Sequence, residues 1–305
     1  MAAPIDAGGA GGRPKRATFP VTRVAACVVP TIPAADASAT PVEVDVAYGT
    51  ADPDRQAYDV AWPNGAKLLV VILHGGGWTS GSRKLYAPTV RQLASAGYAA
   101  ASVGYRFARE TEHRFPVGLS DARCAVRRLM ATAKTHGITK TVLLGASAGG
   151  HLAAMIALAG DAPGFDDECA EKGPIFVDGA VAYYPPIDLE HAAADYPPKM
   201  TQAVDELLRE DAGPEAWLAA ARAATPLHYV DRDDPPMLLV HGTADAIVPI
   251  EDSRKMLRAL QNAGVPSLLV ELPGEPHGYL LFGRGPSLLP ATCSVLHFLE
   301  SVAAN

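Results

Sequence analysis

The stretch TVLLGASAGGHLAAM, residues 141–155, decides the fold of this chain. The apolar run 141–146 leads directly into small residues around Ser147, and an apolar run with helical spacing follows. Gly145 and Gly149 stand two residues on either side of the serine, where the lack of a side chain lets a strand and a helix approach closely. The pattern predicts a strand, a sharp turn and a helix, with Ser147 on the turn as a nucleophile. A glycine-rich turn with a bystander serine is the alternative, and the strand and helix on either side disfavour it.

Other short apolar runs recur on both sides of this stretch and predict buried parallel strands. The alternating segments 41–49 and 56–63 predict an antiparallel pair at one edge of the sheet. Helical patterns between the runs complete a mostly parallel α/β sheet of eight strands with helices on both faces. The six apolar runs are 68–73, 99–105, 141–146, 177–184, 236–242 and 267–272.

One segment, residues 190–225, interrupts the alternation with two helical patterns and no strand between them. An insertion after a strand end of such a sheet lies where ligands bind, so it is interpreted as a small helical cap. A plain crossover helix with a long entry loop is the other interpretation, because length alone does not separate the two.

A glycine-rich loop, HGGGWTSGS at residues 74–82, follows the first of the apolar runs. A serine that attacks a carbonyl forms a tetrahedral intermediate, whose negatively charged oxygen needs two or three N–H donors. The amides of Gly76, Gly77 and Ala148 are the predicted donors, and His74 is predicted to hold the loop through hydrogen bonds. The loop lacks the Lys-Ser/Thr pair of a phosphate-binding loop.

An acid and a base are expected after the serine, in that order along the chain. Asp245 follows a buried strand in PMLLVHGTADAIVP, and His277 lies in the loop PGEPHGY after the last strand. Both therefore open onto the sheet edge that carries Ser147. Asp252 is interpreted as a helix-capping residue. The remaining rival acids are Asp188, Glu271 and Glu275.

The predicted substrate is a small-molecule ester, and aromatic residues near the predicted triad are candidates to line its pocket. The chemistry needs no metal or organic cofactor. A short cap suggests an open pocket for short or aromatic acyl groups. The candidate substrate-binding residues are Trp78, Tyr183, Tyr184 and Tyr279.

Composition narrows the function classes further. The chain has 305 residues, of which 49% are hydrophobic and 19% charged, with a net charge of -7, so it has no basic surface that would indicate nucleic-acid binding. No apolar run is long enough to span a membrane. None of the four cysteines lies in a metal-ligand pattern. Cys124 and Cys293 are expected in the core and Cys169 at the surface, with their pairing and the oligomeric state left open.

The N-terminal segment, residues 1–40, is predicted to be either a flexible tail or a weak signal-like segment ahead of a catalytic domain at 41–305. A basic stretch, an apolar stretch and small residues follow one another as in a secretory signal, but Arg23 and two prolines interrupt the apolar part. A cytoplasmic location is favoured, and secretion stays open.

From about residue 45 onward the chain resembles the esterase/lipase branch of the α/β-hydrolases. It is most similar to small bacterial carboxylesterases grouped with feruloyl and acetyl-xylan esterases, which are relatives of the hormone-sensitive-lipase family. The resemblance implies an α/β-hydrolase fold, a triad of Ser147, Asp245 and His277, and an oxyanion hole in the HGGG loop. Ala146 departs from the Asp, Glu or His that these families carry before the serine. The shared motifs, in family order, are YGTADPDRQAYDV, HGGGWTSGS, SVGYRFARE, FPVGLSDARCAVRRL, GASAGGHLAA, HGTADAIVP and PGEPHGY.

Two other functions are compatible with these motifs. An arylformamidase-like amide hydrolase shares the HGG-x-W loop and the triad. A non-catalytic binding protein of the same fold is the alternative from another class, and an intact triad speaks against it.

Overall fold

One sheet of eight strands forms the centre of the protein. A computed structural model describes residues 21–24, 27–29, 40–108, 114–160, 162–165, 169–208, 213–279 and 281–305. The strands are β1 (Val42–Ala47), β2 (Ala57–Ala61), β3 (Leu69–Leu73), β4 (Ala99–Val103), β5 (Thr141–Ala146), β6 (Gly179–Tyr183), β7 (Met237–Gly242) and β8 (Ser267–Leu272). Their order across the sheet is β1-β2-β4-β3-β5-β6-β7-β8. β2 runs antiparallel to β1 and β4, and the other neighbours are parallel. The eight strands and the antiparallel edge pair are therefore confirmed.

Helices cover both faces of the sheet. They are α1 (Ala87–Ser95), α2 (Val117–Thr135), α3 (Ala148–Ala159), α4 (Ala192–Asp195), α5 (Pro198–Leu208), α6 (Pro214–Ala223), α7 (Ile250–Asn262) and α8 (Leu289–Ala304). Alternate residues of β3 point into two separate cores, as the period of a strand requires. Leu69 and Val71 belong to the core that also contains residues of α2, α3 and α7. Val70 and Ile72 belong to the core on the other face, with residues of α1 and α8.

The register of the parallel strands brings their carboxyl ends to one edge. Leu73 pairs with Gly145, and Ala146 pairs with Tyr183. The segments that follow these strands therefore begin side by side, which is where open α/β sheets bind ligands.

In the part of the insertion between β6 and β7 that the structure describes, there are three α-helices, α4, α5 and α6, where the sequence predicted two, with short 3-10 helices at Leu189–His191 and Pro226–Tyr229. Residues 209–212, between α5 and α6, lie outside the described part of the chain. The Nε1 of Trp217 in α6 donates a hydrogen bond to the Asp205 carboxylate in α5, at 3.0 Å. This bond joins the two longer helices of the insertion.

All four cysteines are paired in disulfides, Cys27 with Cys293 and Cys124 with Cys169. The expectation that Cys169 lies at the surface is wrong, because its side chain packs against α2 and the residue is only 4% exposed. The bridges link distant positions, one of them across 266 residues of sequence. Such links constrain the unfolded chain and so favour folding.

Most of the N-terminal segment lies outside the described residues, so the predicted tail or signal there stays a prediction. Two short described pieces of it, residues 21–24 and 27–29, contact the last helix. The amide of Val24 donates to the Ser294 hydroxyl at 3.0 Å, and Cys27 bonds to Cys293, both on α8. Among the described residues, no helix has the length and apolar character needed to cross a membrane.

Candidate active site

Ser147 lies on the sharp turn that the sequence predicted between β5 and α3. Its backbone has φ 54° and ψ −123°, a conformation that non-glycine residues rarely adopt. The amide of Ser147 donates to the carbonyl of Tyr183 at 2.9 Å, and its own carbonyl accepts from the amide of His151 at 3.0 Å. These bonds anchor the strained turn to the neighbouring strand and to the helix.

The neighbouring glycines are required by close backbone contacts. A Cβ at Gly145 would lie 2.0 Å from the carbonyl oxygen of Gly149. A Cβ at Gly149 would lie 2.1 Å from the carbonyl oxygen of Leu73, at the end of β3. Any larger residue at either position would push strand and helix apart, so the spacing that suggested the turn has a steric cause.

The three side chains predicted as a triad form one hydrogen-bonded chain. The His277 Nε2 lies 3.0 Å from the Ser147 Oγ, and its Nδ1 lies 2.7 Å from the Asp245 Oδ2. Both distances are those of hydrogen bonds, and the first is within the range over which a positioned base takes a proton. Residues separated by 130 positions in sequence thus meet at the carboxyl edge of the sheet.

The Asp245 carboxylate is held as an anion by several donors. Its side chain is fully buried, which by itself raises the pKa of the carboxyl group. Hydrogen bonds from His241, His277 and the amides of Ile247 and Val248 outweigh burial and hold the pKa of Asp245 well below its ordinary value. The two amides bind Oδ1 at 2.8 and 2.9 Å, which leaves Oδ2 directed at His277.

His241 is a contact of the acid that the sequence motifs did not predict. It lies buried one residue before the end of β7, and its Nε2 lies 3.3 Å from the Asp245 Oδ2 and 3.0 Å from the carbonyl oxygen of Val248. Its Nδ1 lies 2.8 Å from the Ser253 hydroxyl. The four-residue spacing from His241 to Asp245 is visible in the sequence, but only the turn between them brings the two side chains together.

Two of the rival acids, Asp252 and Glu271, have partners of their own. Asp252 does not cap α7 as predicted, because its carboxylate accepts from the amides of Ile187 and Asp188 and from the Tyr196 hydroxyl. The Asp252 carboxylate therefore holds the segment that follows β6 in place through hydrogen bonds. Glu271 pairs with Arg254 at 2.8 Å.

The HGGG loop lies against the nucleophile turn. A Cβ at Gly75 would lie 3.3 Å from the Cβ of Ser147. Gly76 and Gly77 have φ of 126° and 57°, so the loop turns in a way that favours glycine. Within the described residues, no acceptor engages the amides of Gly76, Gly77 or Ala148. Three free N–H groups near a serine oxygen suit the binding of an oxyanion.

His74 holds this loop from inside, as predicted. It is 1% exposed, its ring stacks on Tyr105 at 4.3 Å, and its Nδ1 lies 2.8 Å from the carbonyl oxygen of Gly75. The Tyr105 hydroxyl donates to the carbonyl of His74 at 2.7 Å. Burial lowers the pKa of His74 to about 4, so this imidazole is neutral at pH 7.

The predicted pocket residues divide into two groups. Tyr183 and Tyr184 are buried, and the Tyr183 hydroxyl donates to the carbonyl of Leu281 at 2.6 Å. Tyr184 packs its ring 4.6 Å from the His277 ring and donates to the carbonyl of Tyr279 at 3.2 Å. These two tyrosines therefore support the His277 loop from behind, and their role in lining the pocket stays a prediction. Tyr279 is half-buried, and Trp78 is buried beside a small cavity. Their predicted role in lining the substrate pocket stays a prediction.

The insertion approaches the same loop from the other side. Ala203 in α5 has its Cβ 3.5 Å from the place where a Cβ on Gly77 would lie. The carbonyl of Leu207, at the end of α5, accepts from the amide of Phe115 at 2.9 Å. α5 thus lies directly beside the HGGG loop, residues 74–82, which is called the oxyanion loop after its predicted role.

Comparison with known proteins identifies the family. A family model described as BD-FAE matches residues 59–260. Esterase LipC of Mycobacterium tuberculosis is 32% identical over 274 residues, which cover 84% of this chain and 64% of LipC. The chain spans about half to two thirds of the length of the first curated relatives it matches.

Solved structures agree with this result. Thermogutta terrifontis esterase 2, in a form phosphonylated by sarin, is 26% identical with a TM-score of 0.69, and the match covers 88% of this chain and 96% of that one. A truncated carbohydrate esterase from gut microbiota shares the fold at 22% identity and a TM-score of 0.71, over 90% of this chain and 99% of the other. The chain therefore belongs to the BD-FAE family, in the esterase/lipase branch of the α/β-hydrolases.

Proposed function

We propose that this protein is a serine carboxylesterase that hydrolyses short-chain or aromatic carboxylic esters through an acyl-enzyme intermediate. The observation that carries the proposal is the hydrogen-bonded chain from Ser147 through His277 to Asp245 beside three free amides. The names of LipC and of Thermogutta esterase 2 as esterases support it.

The first half of the reaction acylates the serine. The His277 Nε2 takes the hydroxyl proton while the Ser147 Oγ attacks the ester carbonyl carbon, and the charged oxygen binds the amides of Gly76, Gly77 and Ala148. The Asp245 carboxylate keeps the imidazole in the tautomer with Nδ1 protonated. The alcohol then leaves with the proton from His277 as the tetrahedral intermediate collapses.

The second half releases the acid. Water gives a proton to the His277 Nε2 and attacks the acyl carbon, and the same amides bind the new oxyanion. Collapse returns the proton to Ser147 and frees the carboxylic acid. The low pKa of Asp245 keeps the charge that stabilises the imidazolium formed in each half.

Acyl-chain size is the part of the proposal that rests on the insertion. α5 places Ala203 against Gly77, so a substrate group entering over the oxyanion loop meets the helix within a short distance. Small or flat acyl groups need less space there than long flexible chains.

Replacing the nucleophile is the direct test. We expect Ser147→Ala to lower the turnover of p-nitrophenyl acetate by at least about four orders of magnitude, because the variant has no nucleophile. The rate that remains comes from the oxyanion hole and from substrate binding. Ser95→Ala, on α1, is the control and should keep wild-type turnover. A folded Ser147→Ala variant that retains more than about a tenth of the activity would contradict the assignment.

A fluorophosphonate probe tests the acyl-enzyme chemistry separately. We expect mass spectrometry to place one adduct on Ser147, and none in Ser147→Ala. Failure of the wild-type protein to react would favour a binding protein. Comparing p-nitrophenyl esters of increasing chain length with methyl ferulate, acetylated xylan and N-formylkynurenine tests the substrate class, and a preference for the last compound would favour the amide hydrolase.

A further inference from the structure

His151 is a buried histidine that the proposed reaction does not use. It lies one helical turn after Ser147 in α3, it is completely buried, and both of its ring nitrogens have partners. The indole Nε1 of Trp78 donates to its Nδ1 at 3.2 Å. Its Nε2 lies 2.7 Å from the carbonyl oxygen of Ala224.

These two partners determine the protonation of the ring. An indole N–H can only donate and a carbonyl can only accept, so Nδ1 carries no proton and Nε2 carries one. Burial lowers the pKa of His151 to about 4, which keeps the imidazole neutral at the pH where esterases are assayed. The side chain therefore acts as a rigid bridge with one acceptor end and one donor end.

The acceptor end of the bridge reaches the oxyanion loop. Trp78 follows Gly77 directly, is 3% exposed and has φ 59°, a strained value for a residue with a side chain. Its indole meets the His151 ring edge to face at 5.2 Å. Its carbonyl accepts from the amide of Ala108 at 2.9 Å. A strained conformation persists only when its surroundings hold it, and these contacts do so.

The donor end reaches the point where the insertion returns to the domain. Ala224 follows α6 directly and is completely buried. His151 thus joins three elements that meet around the oxyanion: the helix of the nucleophile, the HGGG loop and the last helix of the insertion.

We propose that His151 is a positioning residue that holds the oxyanion loop through the indole of Trp78. By fixing Trp78 in its strained conformation, it keeps the amides of Gly76 and Gly77 directed to the space beside Ser147. The inference rests on the proposed esterase function, because it concerns the stabilisation of that reaction's oxyanion.

Two amide variants of His151 separate the ends of the bridge. The oxygen of an asparagine at this position falls close to the place of the imidazole Nδ1, whereas a glutamine reaches the place of Nε2. We expect His151→Gln to lower kcat about tenfold or more with little change in KM, since misdirected oxyanion donors affect the transition state more than the bound ester. His151→Asn should lose much less, because it still accepts from Trp78.

Trp78→Phe removes the indole donor and keeps an aromatic ring. We expect the same loss of kcat as in His151→Gln, and an equal loss of affinity for a trifluoromethyl ketone that mimics the oxyanion. The double variant Trp78→Phe/His151→Gln should lose no more than the worse single variant, since both changes break one contact. Trp62→Phe is the matched control, as its indole stacks on His136 at 4.6 Å and should leave both readouts unchanged.

Wild-type ester hydrolysis and its loss in Ser147→Ala are measured first, and their failure overturns the proposed function. If both hold, wild-type kcat and ketone affinity in folded Trp78→Phe would overturn only the role of His151. Equal activity of His151→Asn and His151→Gln would do the same. If neither His151 variant folds, the kcat and ketone affinity of Trp78→Phe alone test the role of His151.

Discussion

The nucleophile turn and the helical insertion both contact the oxyanion loop, but they are built in different ways. At the turn, backbone meets backbone so closely that Gly149 has no room for a Cβ beside the carbonyl of Leu73. In the insertion, side chains make the connections, such as Trp217 to Asp205 and Arg222 to Glu190. The turn therefore tolerates almost no change, whereas the insertion can exchange side chains and keep its helices.

This difference assigns a different task to each region. Stabilising an oxyanion requires donors held within a fraction of an ångström, which a close-packed backbone provides. Selecting among substrates requires a surface whose shape changes with single side chains. We expect substitutions at the turn to abolish activity, and substitutions in the insertion to shift substrate preference or stability.

Gly149→Ala should have the largest effect. The new methyl group would lie 2.1 Å from the Leu73 carbonyl oxygen, so β3 and α3 must separate. Overpacking a core generally costs about 1–3 kcal/mol, and a backbone clash also displaces Ser147. We expect at least a hundredfold loss of p-nitrophenyl acetate hydrolysis, together with a lower Tm in thermal unfolding.

Gly285→Ala is the control for that experiment. Gly285 is exposed, and the nearest atom to its added Cβ is 4.0 Å away. The activity and Tm of the Gly285→Ala variant should match those of the wild type. A Gly149→Ala protein with the same behaviour would show that the turn has more freedom than its contacts indicate.

Ala203→Phe should have an intermediate effect that depends on the substrate. A phenyl ring on α5 would fill space beside Gly77, where the existing Cβ already lies 3.5 Å from the added atom position. We expect kcat/KM for p-nitrophenyl octanoate to fall about tenfold relative to the acetate, within the range that steric selection in a pocket produces. The exposed neighbour Gln202→Phe should leave this ratio unchanged. An equal loss for both esters would place Ala203 away from the acyl path.

Trp217→Phe should have the smallest effect. It removes the 3.0 Å bond to Asp205 and keeps the aromatic packing, so the cost is about 1 kcal/mol, or about 2 °C in Tm. Activity on p-nitrophenyl acetate should stay within about twofold of the wild type. A loss of kcat as large as that of Trp78→Phe would mean that the two helices of the insertion also control the oxyanion loop.

The features predicted from sequence and those missed differ in the range of the interactions behind them. The eight strands and the turn at Ser147 follow from local patterns of apolar and small residues, and each was placed to within a few residues. Asp252 was interpreted from its neighbours in α7, but its partners Ile187 and Tyr196 come from another part of the chain. Tyr183 was interpreted from its position at a strand end, while its burial depends on the loop that passes over it.

The disulfides also depend on contacts between distant parts of the chain. An even number of cysteines was consistent with pairing, but nothing near Cys169 indicates that α2 carries its partner. The bridge between Cys27 and Cys293 joins a segment with no regular pattern to the last helix. Pairing of this kind is set by which surfaces the folded domain brings together.

The sequence by itself determined the order of strands and helices, the turn at Ser147 and the three side chains that meet there, because each depends on the period, size and chain order of nearby residues. Only the tertiary structure decided which residues surround that meeting point. His151 reaches Trp78, His241 reaches Asp245 and Ala203 reaches Gly77 through contacts between elements far apart in the chain. Their geometry depends on how helices pack on the sheet, and no local pattern encodes it.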